Sequence, residues 1–401
     1  VSKDSMSLSK GTASQEKQDS QKLPPMFTLS SEWNEIGREV SVTTERILQE
    51  GNYVLGPEVG ELESVLAGYV GVEHCIAVGS GTDALQIAMM ALDVTRGDEV
   101  IVPSFTCMAT VEGLCILGAT PVFVDVTADT FNINVNLIKD AITSKTKAII
   151  AVSVYGLIAD LDGIEGLLKS SNRQDVTLIE DASHSFGAKK NGKRSCNFSK
   201  IACTSFYPMK PLGCYGDGGA IFTSDTNLAT KMRIISRHGM VGRYEHVMLG
   251  MNSKLDTIQA GILLTKMKSN HYEKSLQSRK DVAAIYEKYL SDQTVLTLPS
   301  PPSYNDHIYA VYTVIVNKIS RDTLRDELER AGLETRIQWP KPLHLQDMFN
   351  YLPCVKKPCP ISEELCKNIL SLPIFPFMTE SEAKSVAITV GHAISALMPD
   401  C

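Results

Sequence analysis

The sequence has no long hydrophobic run and no block of basic residues. Its longest uncharged apolar stretch, residues 148–159, is too short to span a bilayer and predicts a buried strand with its exit. The N-terminal residues contain no apolar core of signal-peptide length. The formal net charge is −7, which argues against binding to nucleic acid. We therefore expect a cytoplasmic protein that has neither a nucleic-acid nor a membrane partner.

The sequence also lacks any repeated spacing among its ten cysteines. Most of them stand in apolar surroundings, which is typical of a reducing compartment where cysteine acts as a small hydrophobic residue. Cys354, Cys359 and Cys366 stand near His344 in the sequence, but their spacings match no zinc pattern and the prolines around them indicate an irregular loop. We expect no metal site.

Two common nucleotide-binding motifs are missing as well. Residues 76–78 form a short apolar segment that runs into Gly79–Asp83 and then into a segment rich in Ala, Leu and Met. This order predicts a strand, a tight loop and a helix N-terminus, whose free N–H groups favour an anion. The loop has neither the lysine of a Walker motif nor the glycine spacing of a dinucleotide fingerprint, so ATP and NAD are poor candidates. An ordinary strand-to-helix connection, with Thr82 or Asp83 as N-cap, is the alternative.

One lysine and one aspartate stand where a covalent cofactor would need them. Val176–Asp181 predicts a buried parallel strand that ends on two carboxylates, and this edge of an open α/β sheet holds the ligand. Lys210 lies between an apolar segment and the glycine-rich turn 215–219. An amine for covalent attachment and an acid beside the pyridine nitrogen are what pyridoxal phosphate (PLP) requires. Taken singly, Lys210 could be a solvated surface lysine and Asp181 a turn residue.

From about residue 52 to about residue 382 the chain resembles the DegT-type nucleotide-sugar aminotransferases, which are PLP enzymes of fold type I. Within that family it most resembles the branch that aminates UDP-2-acetamido-2-deoxy-3-keto-glucuronic acid, notably at 192–197 and 210–217. The matching segments stand in the family's order: 56–59, 80–85, 102–106, 118–125, 180–182, 205–206 with 210, 215–220, 237–239, 252–260 and 342–346.

The resemblance implies a role for each residue of the site. Lys210 and Asp181 would be catalytic, Lys210 as the lysine that binds the cofactor and Asp181 as the partner of its pyridine nitrogen. Asn252 matches an asparagine that reaches the cofactor of the neighbouring subunit, which implies a homodimer with shared active sites. Other positions that would contact the cofactor are Gly81, Thr82 and Ser205 at the phosphate, His184 near the ring hydroxyl and Cys107 at the ring face.

Several pocket positions depart from the family. Cys107 stands where an aromatic residue commonly stacks on the cofactor, and a thiol offers far less contact with a ring face. Met209 replaces a small serine, Lys254 replaces an arginine, and Gln338-Trp339 replaces His-Tyr. For the substrate, Arg243 is a candidate contact for a sugar carboxylate, although it could equally be a surface charge. His344, in the matching segment 342–346, is the second substrate candidate.

The order of elements predicts a mainly parallel sheet between two helical layers, with a smaller α+β domain at the C-terminal end. A length of 401 residues with 43% hydrophobic content suggests two domains. We expect a disordered tail at 1–27, a large PLP-binding domain at 28–270 and a small C-terminal domain at 271–401.

The expected activity is transfer of an amino group, with glutamate as donor, to the keto group of a UDP-3-keto-N-acetylhexosaminuronate-like sugar. The resemblance implies polysaccharide biosynthesis, such as that of O-antigen. Two alternatives of the same fold stay open: an aminotransferase for a dTDP-keto-deoxyhexose, and a sugar dehydratase, which Lys210 argues against because dehydratases of this family carry histidine there. A non-catalytic regulatory or binding protein is the third alternative.

Overall fold

The structure is a computed structural model that describes residues 23–398. Its helices within that range are α1 Ser30–Glu50, α2 Pro57–Val70, α3 Gly81–Ala91, α4 Ala109–Ile116, α5 Val135–Ile138, α6 Leu161–Ser170, α7 Thr226–Ile235, α8 Thr257–Lys268, α9 His271–Leu290, α10 Arg321–Arg330, α11 Pro360–Asn368 and α12 Glu380–Leu397. Its strands are β1 His74–Val78, β2 Glu99–Pro103, β3 Thr120–Val124, β4 Thr146–Val152, β5 Thr177–Asp181, β6 Lys189–Lys190, β7 Lys193–Arg194, β8 Ile201–Ser205, β9 Gly219–Thr223, β10 Met240–Gly242, β11 Glu245–His246, β12 Leu296–Thr297, β13 Asn305–Asp306, β14 Tyr312–Val316, β15 Val355–Lys356 and β16 Ile369–Leu372.

One eight-stranded sheet organises most of the chain, in the order β1-β9-β8-β5-β4-β2-β3-β15. All its pairings from β8 to β15 are parallel, and β9 runs antiparallel between β1 and β8. Because β9 is antiparallel to both of its neighbours, β1 runs in the same direction as β8. The carboxyl ends of β1, β8, β5, β4 and β2 therefore meet at one edge of the sheet. This architecture confirms the predicted fold class.

Hydrophobic clusters cover both faces of this sheet. One cluster joins apolar residues of α2, α6 and α8 to one face, and another joins α3, α4 and α7 to the opposite face. Alternate residues of β1 divide between the two, with Ala77 in the first and Val78 in the second. Buried parallel strands of this kind carry apolar residues in both orientations, which explains the continuous apolar runs in the sequence.

The C-terminal part has a core of its own. The antiparallel sheet β12-β14-β16 packs with α10, α12 and the second half of α9 in a separate cluster. Helix α9 belongs to both parts, because Tyr272 and Leu276 lie in a large-sheet cluster while Val282 and Tyr286 lie in the C-terminal one. The segment 343–356 returns to the large sheet, where β15 pairs with β3. The predicted division into a large domain at 28–270 and a small domain at 271–401 stays a prediction.

The N-terminal stretch that precedes α1 contacts the C-terminal part. Leu23 and Phe27 pack against its hydrophobic cluster, and the backbone N–H of Met26 donates to Glu334 Oε2 at 3.2 Å. The rest of the predicted tail, residues 1–22, lies outside the described residues. Across 23–398, none of the helices is both long and apolar enough to cross a membrane.

Candidate active site

The predicted anion loop is the turn between β1 and α3. The side chain of Ser80 caps α3 by accepting the N–H of Asp83 at 3.0 Å, so the predicted N-cap, Thr82 or Asp83, lies two or three residues too late. A Cβ on Gly81 would lie 2.6 Å from the Cβ of Ser205 at the end of β8. Only glycine allows the first turn of α3 to approach the end of β8 this closely. The result is a concave site with a helix N-terminus on one side and a hydroxyl on the other, which suits a phosphate.

Asp181 ends β5 and turns toward this same edge, where it is almost fully buried. Its Oδ2 accepts the hydroxyl of Thr110 at 3.0 Å. Its Oδ1 accepts both the N–H of Ser183 at 3.1 Å and the hydroxyl of Ser183 at 2.6 Å. Three donors fix the orientation of this carboxylate, as a group that must face one ring nitrogen requires.

Glu180, the other carboxylate of the strand end, faces the opposite side of the sheet. It accepts the hydroxyl of Ser195 at 2.7 Å and the N–H of Cys196 at 2.9 Å. Burial raises the pKa of Glu180 despite these hydrogen bonds. Successive side chains of a strand point to opposite faces, so only one of the two carboxylates can reach the ligand edge.

Lys210 lines the cavity that Asp181, Gly81 and Ser205 also line. Its backbone N–H donates to the carbonyl of Tyr207 at 2.8 Å, which makes a tight turn at the strand exit. Burial lowers the pKa of the Lys210 amine, and the nearby charge of Asp181 opposes that shift. A lowered pKa increases the fraction of Lys210 that carries a neutral amine. The neutral amine is the form that can attack a carbonyl or accept a proton.

A buried ion cluster holds the loop that follows Lys210. The ammonium group of Lys266 donates to the carbonyl of Gly213 at 2.7 Å and to Glu32 at 2.8 Å. His271 also contacts Glu32, at 3.2 Å. All three of these ionisable side chains are buried, and removing one partner of such a set would leave an uncompensated charge. Helices α1, α8 and α9 thereby fix the position of the lysine loop.

His184 faces the cavity as a neutral donor. Burial and the charge of Lys210 hold its pKa well below the usual range. Its Nδ1 accepts the backbone N–H of Tyr155 at 3.3 Å, which leaves the proton of the neutral ring on Nε2. The ring stacks on Trp339 with an interplanar angle of 1° and a centroid distance of 5.7 Å. A fixed N–H donor is suited to a ring hydroxyl of the cofactor.

Seven of the ten predicted site residues lie around this one cavity. They are Gly81, Thr82, Cys107, Asp181, His184, Ser205 and Lys210. Their groups fit PLP: an N-terminal helix turn and a hydroxyl for the phosphate, a fixed carboxylate for the ring nitrogen, and a neutral-favoured amine for covalent attachment. The site can therefore hold a phosphorylated ring and exchange its amine partner.

The structure does not bring the other three to the cavity of the same chain. Asn252 is exposed and its amide oxygen accepts from Lys254. Arg243 is exposed on the β10–β11 hairpin, with its guanidinium 5.5 Å from the ring centroid of Tyr244. His344 is buried, where it contacts the hydroxyl of Ser104 at 2.5 Å and Glu363 at 3.3 Å. The predicted roles of these three residues stay predictions.

A second cavity adjoins the first and shares Lys210, His184 and Tyr207 with it. Sequence reasoning missed much of its lining, which includes Met26, Phe27, Tyr207, Pro211, Ile374 and Arg336. Arg336 stands two residues before Gln338-Trp339, the pair that replaces the family's His-Tyr. This proximity was the one local signal that Arg336 belongs to the site. No pattern in the sequence points from residues 26 and 27 to Lys210.

Cys107 is exposed at the mouth of the cofactor cavity. If an aromatic face is missing there, Cys107→Tyr should tighten PLP binding by up to about 1 kcal/mol, or about fivefold in Kd, because ring stacking adds roughly that much. Fluorescence titration of the cofactor-free protein measures it, and Cys107→Ala controls for loss of the thiol. Equal or weaker affinity of the tyrosine variant would show that residue 107 does not lie over the ring.

Comparisons with known proteins agree with this geometry. A model of the DegT/DnrJ/EryC1/StrS aminotransferase family matches residues 34–391. The chain is 44% identical over 361 residues to the UDP-2-acetamido-2-deoxy-3-oxo-D-glucuronate aminotransferase of Pseudomonas aeruginosa, covering 89% of this chain and 97% of that relative. It is 38% identical over 364 residues to a pleiotropic regulatory protein of Geobacillus stearothermophilus, covering 90% and 96% respectively.

Solved structures give the same fold. DesV of S. venezuelae in complex with a ketimine intermediate matches with a TM-score of 0.88 at 34% identity, over 93% of this chain and 99% of that chain. NtdA from Bacillus subtilis with bound cofactor PMP matches with a TM-score of 0.85 at 30% identity, over 95% of this chain and 87% of that chain.

Proposed function

We propose that the chain, which belongs to the DegT/DnrJ/EryC1/StrS aminotransferase family, is a PLP-dependent sugar aminotransferase. It takes an amino group from an amino acid, glutamate, and transfers it to the keto group of a nucleotide-linked sugar. The relative from Pseudomonas aeruginosa favours a UDP-linked 3-keto-N-acetylhexosaminuronate as acceptor. The observation that carries the proposal is that Lys210 and Asp181 line one cavity together with Gly81 and Thr82 of the N-terminal turn of α3.

Each part of the site has a task in this reaction. The bound cofactor supplies an electron sink at the carbon that loses a proton. The neutral amine of Lys210 would accept that proton and return it to the carbon on the other side of the transferred nitrogen. The carboxylate of Asp181 would keep a ring nitrogen protonated. The N-terminus of α3 and Ser205 would bind the phosphate, and the Nε2–H of His184 would donate to the ring hydroxyl.

An acceptor panel tests the proposed function. The purified protein is loaded with PLP and incubated with glutamate and a set of UDP- and dTDP-linked keto sugars, and mass spectrometry identifies the aminated product. We expect amination of a UDP-linked 3-keto sugar acid. Amination of dTDP-keto-deoxyhexoses alone would assign the chain to that branch. No product with any acceptor, from protein that retains PLP, would favour the regulatory alternative that the Geobacillus relative's name suggests.

We also propose a homodimer whose two active sites are shared. Asn252 lies outside the cavity of its own chain, while the hydroxyl of its neighbour Ser253 accepts the N–H of Gly79 at 3.0 Å and donates to Asp83 at 2.7 Å. The asparagine is thus held on a rigid support with its side chain exposed. A two-fold axis would place two such residues equivalently.

Mixed dimers test the sharing. Lys210→Ala and Asn252→Ala chains, each inactive alone, should regain activity when mixed, because one site of each hybrid carries both defects and the other carries none. Random exchange makes half of the dimers hybrid, so we expect about a quarter of the wild-type activity. Lys210→Ala mixed with Asp181→Asn is the control and should regain nothing. No recovery in hybrids shown to have formed would remove Asn252 from a shared site.

A further inference from the structure

The cavity that adjoins the cofactor site has a cationic end and no acid. Among the described residues that line it, Arg336 carries a positive charge and none is aspartate or glutamate. Its other walls include Met26, Phe27 and Ile374, which are apolar. Apolar walls displace water and so strengthen the interaction of the guanidinium with an anionic ligand. The cavity is therefore suited to a substrate with a negative group close to the reacting carbon.

The guanidinium of Arg336 is not engaged by any acid in residues 23–398. Its recorded side-chain contact is with the sulfur of Met209, 4.0 Å from Nη1. Glu334, two residues earlier, instead accepts the backbone N–H of Met26. A thioether is a weak acceptor, so a carboxylate could replace it at little cost and form charge-assisted hydrogen bonds.

The backbone of Arg336 is fixed although its side chain is exposed. Its N–H donates to the carbonyl of Ser371 in β16 at 3.1 Å, and its carbonyl accepts the N–H of Ser371 at 2.8 Å. The pair extends the C-terminal sheet by one bridge. The contact with Met209 places the guanidinium beside the residue that directly precedes Lys210. Binding would thus order the side chain alone, which keeps the entropic cost small.

We propose that Arg336 binds the carboxylate of the substrate that occupies the Lys210 site. The inference rests on the proposed function. An amino-acid donor carries its carboxylate one bond from the carbon that loses the amine, and that carbon must lie at Lys210. The keto-sugar acid then enters the same cavity, so its carboxylate can take the same guanidinium. Two chemically different substrates would share one recognition group.

Two half-reactions separate the two sources of the carboxylate. In the first, PLP-loaded protein is mixed rapidly with glutamate, and the absorbance change gives its apparent affinity. In the second, the aminated cofactor form is mixed with a UDP-keto sugar acid or with the matched sugar that has a hydroxymethyl group in place of the carboxylate. Arg336→Met removes a charge-assisted hydrogen-bonded pair, so the affinity for the affected substrate should fall by about 10- to 100-fold.

In Arg336→Met, a lower apparent affinity for glutamate would support the proposal and identify the amino-acid donor as the ligand of Arg336. A reduced preference for the sugar acid over its uncharged analogue would support it and identify the sugar acid. Unchanged affinities in both arms overturn it. An equal loss for both sugars together with weaker binding of UDP alone also overturns it, because the guanidinium would then serve the diphosphate. Arg336→Lys keeps the charge but loses the fork geometry, and should show an intermediate loss.

Binding of glutarate keeps this test independent of the proposed reaction. Glutarate has two carboxylates and no amine, so calorimetry detects its binding even if the protein transaminates nothing. The wild type and the control variant Arg330→Met, which removes an exposed arginine of α10, should bind it equally, whereas Arg336→Met should lose binding. Failure of the wild type to bind glutarate, or equal binding by all three proteins, would overturn the carboxylate role. An unchanged unfolding midpoint checks that Arg336→Met still folds.

Discussion

Replacing Lys210 with alanine should reduce amino transfer to background while leaving the fold intact. Proton transfer by a positioned group contributes about 10²–10⁴-fold, and the variant also loses the covalent attachment of the cofactor. Single-turnover absorbance changes with glutamate measure this loss directly. Small added amines such as methylamine should restore part of the rate, because they can enter the space that the side chain leaves.

The same variant should not be less stable than the wild type in the absence of cofactor. Because burial lowers the pKa of Lys210 in the folded protein, the unfolded chain binds more protons at this residue in the pH range between that lowered pKa and the ordinary value of 10.5. The lysine therefore costs stability as the pH falls below that value, and alanine removes the cost. Thermal unfolding at pH 7 and pH 10 measures the difference, which should be larger at pH 7.

Borohydride reduction and peptide mapping locate the attachment site. The wild-type protein reconstituted with PLP should be yellow and carry the reduced cofactor on Lys210. Lys274→Ala, which removes an exposed lysine of α9, should keep both the colour and the activity. A label on another lysine, or a colourless reconstituted protein, would contradict the assignment of Lys210.

Asp181→Asn should slow the reaction by about 10²–10³-fold, the scale of losing one preorganised electrostatic contact. The amide is nearly the same size and can still accept from Ser183, but it offers no negative charge to a protonated ring nitrogen. A fall in the rate constant with little change in the affinity for glutamate would fit this role. Rate and spectrum are measured together, because loss of the charge should also shift the absorbance of the bound cofactor.

A matched exchange controls for removal of a carboxylate. Asp225 caps α7 by accepting the backbone N–H groups of Asn227 and Leu228, and asparagine caps a helix as well as aspartate does. Asp225→Asn should therefore leave the rate unchanged. An Asp181→Asn variant with wild-type kinetics would remove Asp181 from the catalytic role.

Local sequence patterns predicted Asp181, Lys210 and the anion loop of the cofactor half, because parallel strands end together, whereas Ser205, His184 and Cys107 were predicted from the family resemblance. Asp181 closes β5 and Ser205 closes β8, so residues far apart in sequence meet once the sheet is recognised. The C-terminal helix α12 spans Glu380–Leu397, and its start can be read from the sequence because Thr379 and Glu382 form a capping box. Strong local signals of this kind need no tertiary information.

Other element bounds depended on contacts that the sequence does not show. The apolar run from Tyr309 to Val316 indicates a strand, but the strand begins at Tyr312, because Tyr309 has a φ of 48° and its ring stacks on His307. The sequence pattern allows a helix from Ser253, but the helix begins at Thr257. There the side chain of Ser253 is bonded to Gly79 and Asp83 instead. At Ser253 a long-range partner outweighed the local preference, whereas at Tyr309 the contact is with a residue two positions away.

The substrate half of the site was the least predictable part. Met26, Phe27 and Arg336 reach Lys210 only because the N-terminal stretch and the C-terminal sheet fold back over the carboxyl edge of the large sheet. Nothing periodic links residues more than a hundred positions apart. By contrast, the end of β5 at Asp181 can be read from the sequence alone, and it marks the edge of the sheet where the ligand lies.

Helix α9 also constrains how the site can move. It runs for 20 residues with no glycine or proline, and its two halves are anchored in different hydrophobic clusters. Hinged closure of the C-terminal part would have to bend an uninterrupted helix, and sharp bends almost always occur at a breaker residue. An uninterrupted helix therefore opposes hinge motion between the part that carries Lys210 and the part that carries Arg336. Enclosure of a substrate would then depend on short segments of the cavity lining, such as the stretch before α1 that contributes Met26 and Phe27.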